Sequence, residues 1–181
     1  MLSRTIFIKP VGNCCNMNCL YCFEKNSLFV ETQGLLSADD TISYLESYKN
    51  YQNIFIVFHG GEPMIAGEEY FKKVLDFIST EFNGNVNVQI QTNGSLFKES
   101  WVSLLKPYKK ILSFSFSLDP IGTKDLRYHD DCNLRTEIIN NLERVNSEFD
   151  NTGIISVMHK YNHQYFIKFI ELLIDQKNEK I

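Results

Sequence analysis

Leu112-Ser113-Phe114-Ser115-Phe116-Ser117-Leu118-Asp119 alternates strictly between apolar and polar residues. Successive side chains of a β-strand point to opposite faces. Ser113, Ser115, Ser117 and Asp119 therefore share one face, and the phenylalanines and leucines share the other. Val86-Asn87-Val88-Gln89-Ile90-Gln91-Thr92-Asn93 repeats the pattern, with Asn87, Gln89, Gln91 and Asn93 together. Around these two runs the chain alternates regularly. Strand-like segments lie near 4–11, 53–59, 86–92, 111–118 and 153–158, and helix-like segments near 38–50, 67–81, 97–106, 134–148 and 163–176. Strand–helix alternation implies an α/β fold with a parallel sheet. A parallel sheet buried between two helical layers is apolar on both faces. A polar face on consecutive strands instead predicts a barrel-like sheet curved around a hydrated, ligand-holding interior.

Local signals place the helices. Ser37 before Ala38-Asp39-Asp40 is a helix start with acidic residues in its first turn. Pro107 marks the end of the third helix. Phe166, Phe169, Ile170 and Leu173 form a stripe at helical spacing that is expected to face the core. Trp101, Leu104 and Leu105 read as core.

The 181 residues suit one domain with a sizeable core, and 44% are hydrophobic and 22% charged. The formal net charge is −4, with both signs scattered, so no basic stripe points to nucleic acid. The longest apolar runs, such as Ile54–Phe58, are too short to cross a membrane. The first ten residues lack the pattern of a secretory signal. These features lead us to expect a cytoplasmic protein that partners neither membrane nor nucleic acid.

In parallel α/β folds, ligands collect at the carboxyl ends of the strands. Four unusual segments fall there: Cys15–Cys22, Gly60-Gly61-Glu62-Pro63, Thr92-Asn93-Gly94, and Ser117 with Asp119. Four of the five cysteines lie between Cys14 and Cys22. Such close neighbours would close only tiny disulfide loops, so clustering argues for metal. Cys15-Asn16-Met17-Asn18-Cys19-Leu20-Tyr21-Cys22 spaces three thiolates as CxxxCxxC, and soft thiolates suit iron–sulfur clusters or zinc. A [4Fe-4S] cluster usually takes four cysteines, so three would leave one iron open for another ligand. Zinc would need a fourth protein ligand, such as His59 or Cys132, which the spacing does not support. The Gly60-Gly61 pair permits close backbone approach, and its carbonyls and Glu62 suit an ammonium group. The plain alternative is a Gly-Gly turn closed by Pro63.

The cysteine motif, with the aromatic Tyr21 and its place after a first strand, resembles the radical SAM superfamily. His59-Gly60-Gly61-Glu62-Pro63 is similar to that family's GGEP motif, Ile90–Gly94 to its TNG segment, and Ser117-Leu118-Asp119 to its SxD element. The Gly that follows in the family is Pro120 here, with Gly122 two further on. The resemblance implies that Cys15, Cys19 and Cys22 hold a [4Fe-4S] cluster. It also implies that S-adenosylmethionine (SAM) binds among Tyr21, Gly60, Gly61, Glu62, Thr92, Asn93, Ser117 and Asp119. Arg127, Arg135 and Arg144 are alternatives for pairing with the SAM carboxylate. Catalytic acid–base residues are not assigned. His129 and Asp130 read as a solvated loop, Cys132 as incidental, and His159 and His163 as surface residues.

The combined motifs look most like anaerobic sulfatase-maturating enzymes and related peptide maturases with a cysteine-rich C-terminal SPASM region, which is absent here. The implied fold is a partial (β/α) barrel with about five βα units and a sixth missing. Residues 1–181 would form a single core domain, incomplete at the C-terminus. The implied activity is reductive SAM cleavage to a 5'-deoxyadenosyl radical that modifies a peptide or protein, with electrons from a flavodoxin- or ferredoxin-type donor. Alternatives are an activase of glycyl-radical enzymes and a non-catalytic cluster-binding module.

Overall fold

A computed structural model describes residues 3–25, 34–120, 122–128 and 133–178. His129, Asp130 and Cys132 lie outside the described residues. The elements are β1 (Ser3–Ile8), α1 (Ala38–Glu46), β2 (Asn53–Phe58), α2 (Glu68–Glu81), β3 (Asn85–Thr92), α3 (Glu99–Leu105), β4 (Leu112–Ser117), α4 (Leu134–Glu148), β5 (Thr152–Ile155) and α5 (Phe166–Asn178). All neighbouring strands pair in parallel, in the order β1-β2-β3-β4-β5. A doubly wound sheet reverses its strand order at a switch point, and this one does not. Right-handed crossovers between consecutive neighbours place every helix on one face. The result is an open five-stranded arc of barrel type, with no closure among the described residues.

Burial follows the sequence alternation. Val88, Ile90, Phe114 and Phe116 face the helices and are almost wholly buried, whereas Gln89 and Gln91 on the opposite face are only half-buried. Ile6, Ile8, Ile54, Ile56 and Phe58 continue the apolar face, with Leu75, Ile78, Phe97, Leu105, Ile138 and Val145 packed over it. Phe58 is at the centre, its ring 5.1 Å from Phe71 and 6.4 Å from Tyr70. Trp101 joins this aromatic group edge-on to Phe71 at 5.4 Å. Among the described residues no helix is long and apolar enough to cross a membrane.

Several boundaries differ from the sequence expectation; β1, expected to run to residue 11, ends at Ile8. α1 ends at Glu46 because the bonds then tighten, Tyr48 N–H to Leu45 O and Lys49 N–H to Glu46 O. β5 stops at Ile155 because side chains replace the ladder beyond it. The Ser156 hydroxyl donates to Leu118 O, and Val157 N–H donates to Asp119 Oδ1 at 2.8 Å. α5 begins at Phe166 after a short 3-10 turn at His163–Tyr165. Its stripe is only partly a core stripe. Phe169 is buried and Leu173 packs against the core, but Ile170 is half exposed because α5 follows the edge strand and meets the core along one flank.

Phe58→Ala should cost about 3–5 kcal/mol, the usual penalty for emptying a large aromatic site in a packed core. Urea unfolding of the two proteins measures it. A loss below about 1 kcal/mol would show that the core does not close around this ring.

Candidate metal centre

The cysteine loop leaves the carboxyl end of β1 and is held by the loops after β2 and β3 and by the segment after β4, where Leu20 N–H donates to Leu126 O at 2.8 Å. From β2, Gly61 N–H donates to Gly12 O at 2.8 Å and Glu62 N–H donates to Cys14 O at 2.8 Å. This approach requires both glycines. A Cβ on Gly61 would lie 1.8 Å from Cys14 O, and one on Gly60, whose φ is 111°, would lie 2.6 Å from Gly12 O. The close approach expected of the Gly-Gly pair is thus made to a second loop. The carbonyls of Gly60 and Gly61 accept no hydrogen bond among the described residues.

From β3, Asn93 Nδ2 donates to Asn16 Oδ1 at 2.9 Å and lies 3.7 Å from Cys15 Sγ. Asn16 Nδ2 donates to Ser95 Oγ at 2.8 Å. Met17 N–H points at Cys15 Sγ from 3.4 Å. Cys15, Cys19 and Cys22 are half-buried, Cys14 is exposed, and none of the four forms a disulfide. Desolvation raises the Cys15 and Cys19 thiols above their usual range, and for Cys19 the neighbouring Cys15 and Cys22 push in the same direction. Three half-buried thiols on one loop are the donor set of a thiolate-bound cluster. Among the described residues no three acidic, His or Cys groups lie close enough to share one metal ion.

Glu62 does not face an open ligand site. Its side chain is wholly buried, and its carboxylate accepts from Met64 N–H at 3.0 Å, Thr92 Oγ1 at 2.9 Å and Asn93 N–H at 2.6 Å. Desolvation pushes its pKa up to about 7, against the pull of these donors. Thr92 is equally buried, with Gly94 N–H donating back to its hydroxyl at 2.9 Å. Asp119 is also committed internally. It is 3% exposed, Oδ1 accepts from Val157 N–H, and Oδ2 accepts from the Tyr21 hydroxyl. Glu62, Thr92, Asn93 and Asp119 thus all make side-chain bonds within the rim.

Ser117 is the exception. It shares the face opposite the helices, is half-buried, and its hydroxyl has no partner among the described residues. The structure also separates the three arginines. Arg144 is engaged by Phe97 O, Asn141 Oδ1 and Glu99. Arg127 is 8% exposed and reaches the cysteine loop, Nη1 donating to the Tyr21 hydroxyl at 3.1 Å, while its Nε is buried without a partner among the described residues. Arg135 Nε is likewise unpartnered among the described residues, and there Arg135 makes no bond to that loop. His159, expected at the surface, has its ring 6.0 Å from that of Tyr21. Asn16 was not singled out from the sequence; an asparagine inside a ligand loop carries no signal of its own.

The family model of the radical SAM superfamily matches residues 10–173, and the chain belongs to that superfamily. Its members work with a [4Fe-4S] cluster and SAM. The chain is similar to the cysteine-type anaerobic sulfatase-maturating enzyme of Clostridium novyi (strain NT), 27% identical over 97% of this chain and 49% of that protein. It is 30% identical to the corresponding enzyme of Clostridium perfringens (strain ATCC 13124) over 73% of this chain and 37% of that protein. Among solved structures, native anSMEcpe with bound AdoMet and Kp18Cys peptide superposes with a TM-score of 0.74 at 26% identity, covering 92% of this chain and 49% of that one. The chain spans about half the length of the curated relatives it matches most fully.

Glu62→Ala leaves two backbone N–H groups and a hydroxyl buried without their acceptor. It should cost on the order of 3 kcal/mol in the metal-free chain, and Glu62→Gln should cost less. Denaturant melts compare the three proteins. Equal midpoints would remove Glu62 as the tie between the β2 and β3 ends.

Proposed function

We propose that residues 1–181 form one radical SAM core that carries a [4Fe-4S] cluster on Cys15, Cys19 and Cys22 and cleaves SAM reductively to modify a peptide or protein. The observation that carries this reading is three half-buried thiols on a single rim loop, whose Gly12 and Cys14 carbonyls accept from the Gly61 and Glu62 N–H groups, beside Gly60 and Gly61 carbonyls that accept no hydrogen bond among the described residues. Bound there, the cluster and SAM together supply a 5'-deoxyadenosyl radical that takes hydrogen from a substrate. The chain's own residues bind and orient. The Gly60 and Gly61 carbonyls suit the methionyl ammonium. The Arg127 guanidinium, with its unpartnered Nε, and the Ser117 hydroxyl suit the methionyl carboxylate. Tyr21, Glu62, Thr92, Asn93 and Asp119 fix the loops around these groups without needing to touch SAM.

The face opposite the helices supports a polar substrate. His59 and Phe7 meet edge-on there at 5.2 Å, beside Gln89, Gln91 and Ser115. Burial and the nearby Lys9 charge lower the His59 pKa, which favours the neutral ring. Peptide-bound relatives of the same fold favour a peptide as the occupant. The electron would come from a flavodoxin- or ferredoxin-type donor in the cytoplasm.

The test is anaerobic reconstitution with iron and sulfide, followed by SAM and dithionite, with 5'-deoxyadenosine measured by chromatography. Wild type should form it. Cys15→Ala, Cys19→Ala and Cys22→Ala should each lose the cluster and the product, while Cys14→Ala and Cys132→Ala should keep both. Equal iron retention in all five variants would sink the ligand assignment, and a reconstituted cluster that yields no 5'-deoxyadenosine would sink the catalytic reading.

A further inference from the structure

The amide of Asn93 cannot be turned round. Its side chain is buried, and Oδ1 accepts from Ser95 N–H at 2.9 Å and from Ser95 Oγ at 2.6 Å. A backbone N–H can only donate, so the oxygen end is fixed at Ser95. The NH2 end must then face the cysteine loop, where Asn16 Oδ1 and Cys15 Sγ lie at 2.9 and 3.7 Å. Asn16 is itself oriented, because its own Nδ2 donates to Ser95 Oγ. The Asn93 backbone is held as firmly, N–H to Glu62 Oε2 at 2.6 Å. With Met17 N–H at 3.4 Å, two N–H dipoles converge on the Cys15 sulfur. Cys19 has a different environment: its Sγ lies 3.9 Å from the carbonyl oxygen of Arg127, which offers a thiolate nothing.

We propose that Asn93 is a positioning residue that sets the reduction potential of the cluster, by donating an N–H to the Cys15 thiolate. The inference rests on the cluster reading above. An N–H donor withdraws negative charge from a cluster sulfur. It therefore stabilises the reduced, more negative form more than the oxidised form and raises the potential. Fixing the amide in advance means that no reorganisation opposes the gain when the electron arrives. The role is separate from SAM contact, since the Asn93 side chain spends both ends inside the chain.

The experiment is an EPR-monitored redox titration of reconstituted full-length protein without SAM, so the readout does not depend on turnover. Asn93→Ala should lower the midpoint potential by a shift equal to about a tenfold weaker one-electron reduction, about 59 mV. Asn93→Asp, which keeps the acceptor for Ser95 N–H but turns a negative oxygen towards the sulfur, should lower it further. Ser95→Ala, which leaves the orienting backbone N–H in place, should shift it less than either. Should Asn93→Asp fail to fold, Asn93→Ala and Asn93→Ser supply the comparison. Midpoints equal to wild type in the variants that retain iron would overturn the inference while leaving the cluster in place. A wild-type chain that takes up no cluster would overturn both.

Discussion

A carboxylate sealed from water organises the rim of this sheet. Burying an ionised carboxylate costs several kcal/mol unless hydrogen bonds offset it, and three donors meet that of Glu62. The donors come from the turn after Glu62 itself and from the end of β3, so the carboxylate ties the loop that follows β2 to the end of the strand paired with it. Its backbone N–H extends the tie to Cys14 O on the cysteine loop. From there the connection passes through Asn93 to Asn16 and Ser95, and the position of Cys15 depends on every member of the set. Asp119 plays the matching part on the other side. It joins the end of β4 to the segment after β5 and to Tyr21, and Tyr21 carries the contact on to Arg127. Two buried acids, one on each flank, thus hold a cysteine loop that has no regular structure of its own.

This arrangement divides the labour at the rim. Among the described residues, the Gly60 and Gly61 carbonyls and the Ser117 hydroxyl stay unbonded, while the Glu62 and Asp119 side chains are withdrawn into the protein. A cationic amino group would therefore meet carbonyl dipoles, and the negative charges that shape the loop stay where they do not compete for it. The opposite face of the sheet keeps Gln89, Gln91 and His59 partly open above an apolar, densely packed helical layer.

The fold was largely legible because period-2 alternation in Leu112–Leu118 and Val86–Asn93 reports which face is polar, and that face is the one without helices. The cysteine loop was legible for a similar reason: the spacing of thiols in a short segment is itself chemical information. The roles of Glu62 and Asp119 were not. A sequence shows that a carboxylate lies at a strand end, but not whether it turns out towards a ligand or in towards its neighbours, because that depends on backbone donors contributed by distant segments. Arg127 could not be chosen over Arg135 and Arg144 for the same reason, its approach to Tyr21 spanning 106 positions. Ile170 misled because helical spacing marks an apolar stripe without saying how much of it the neighbouring layer can cover. The early end of β5 came from Asp119 standing in as an acceptor for Val157 N–H, which no strand propensity records.

The long reach of the contacts that hold the cysteine loop has a consequence for biosynthesis. Asn16 meets Ser95 and Asn93 across 79 and 77 positions. A chain emerging from the ribosome therefore displays its thiols well before the braces that orient them have been translated. During that interval the loop is an unstructured ligand, open to oxidation or to whichever thiophilic ion arrives first. A metal centre on this loop would load faithfully only after the third strand has docked.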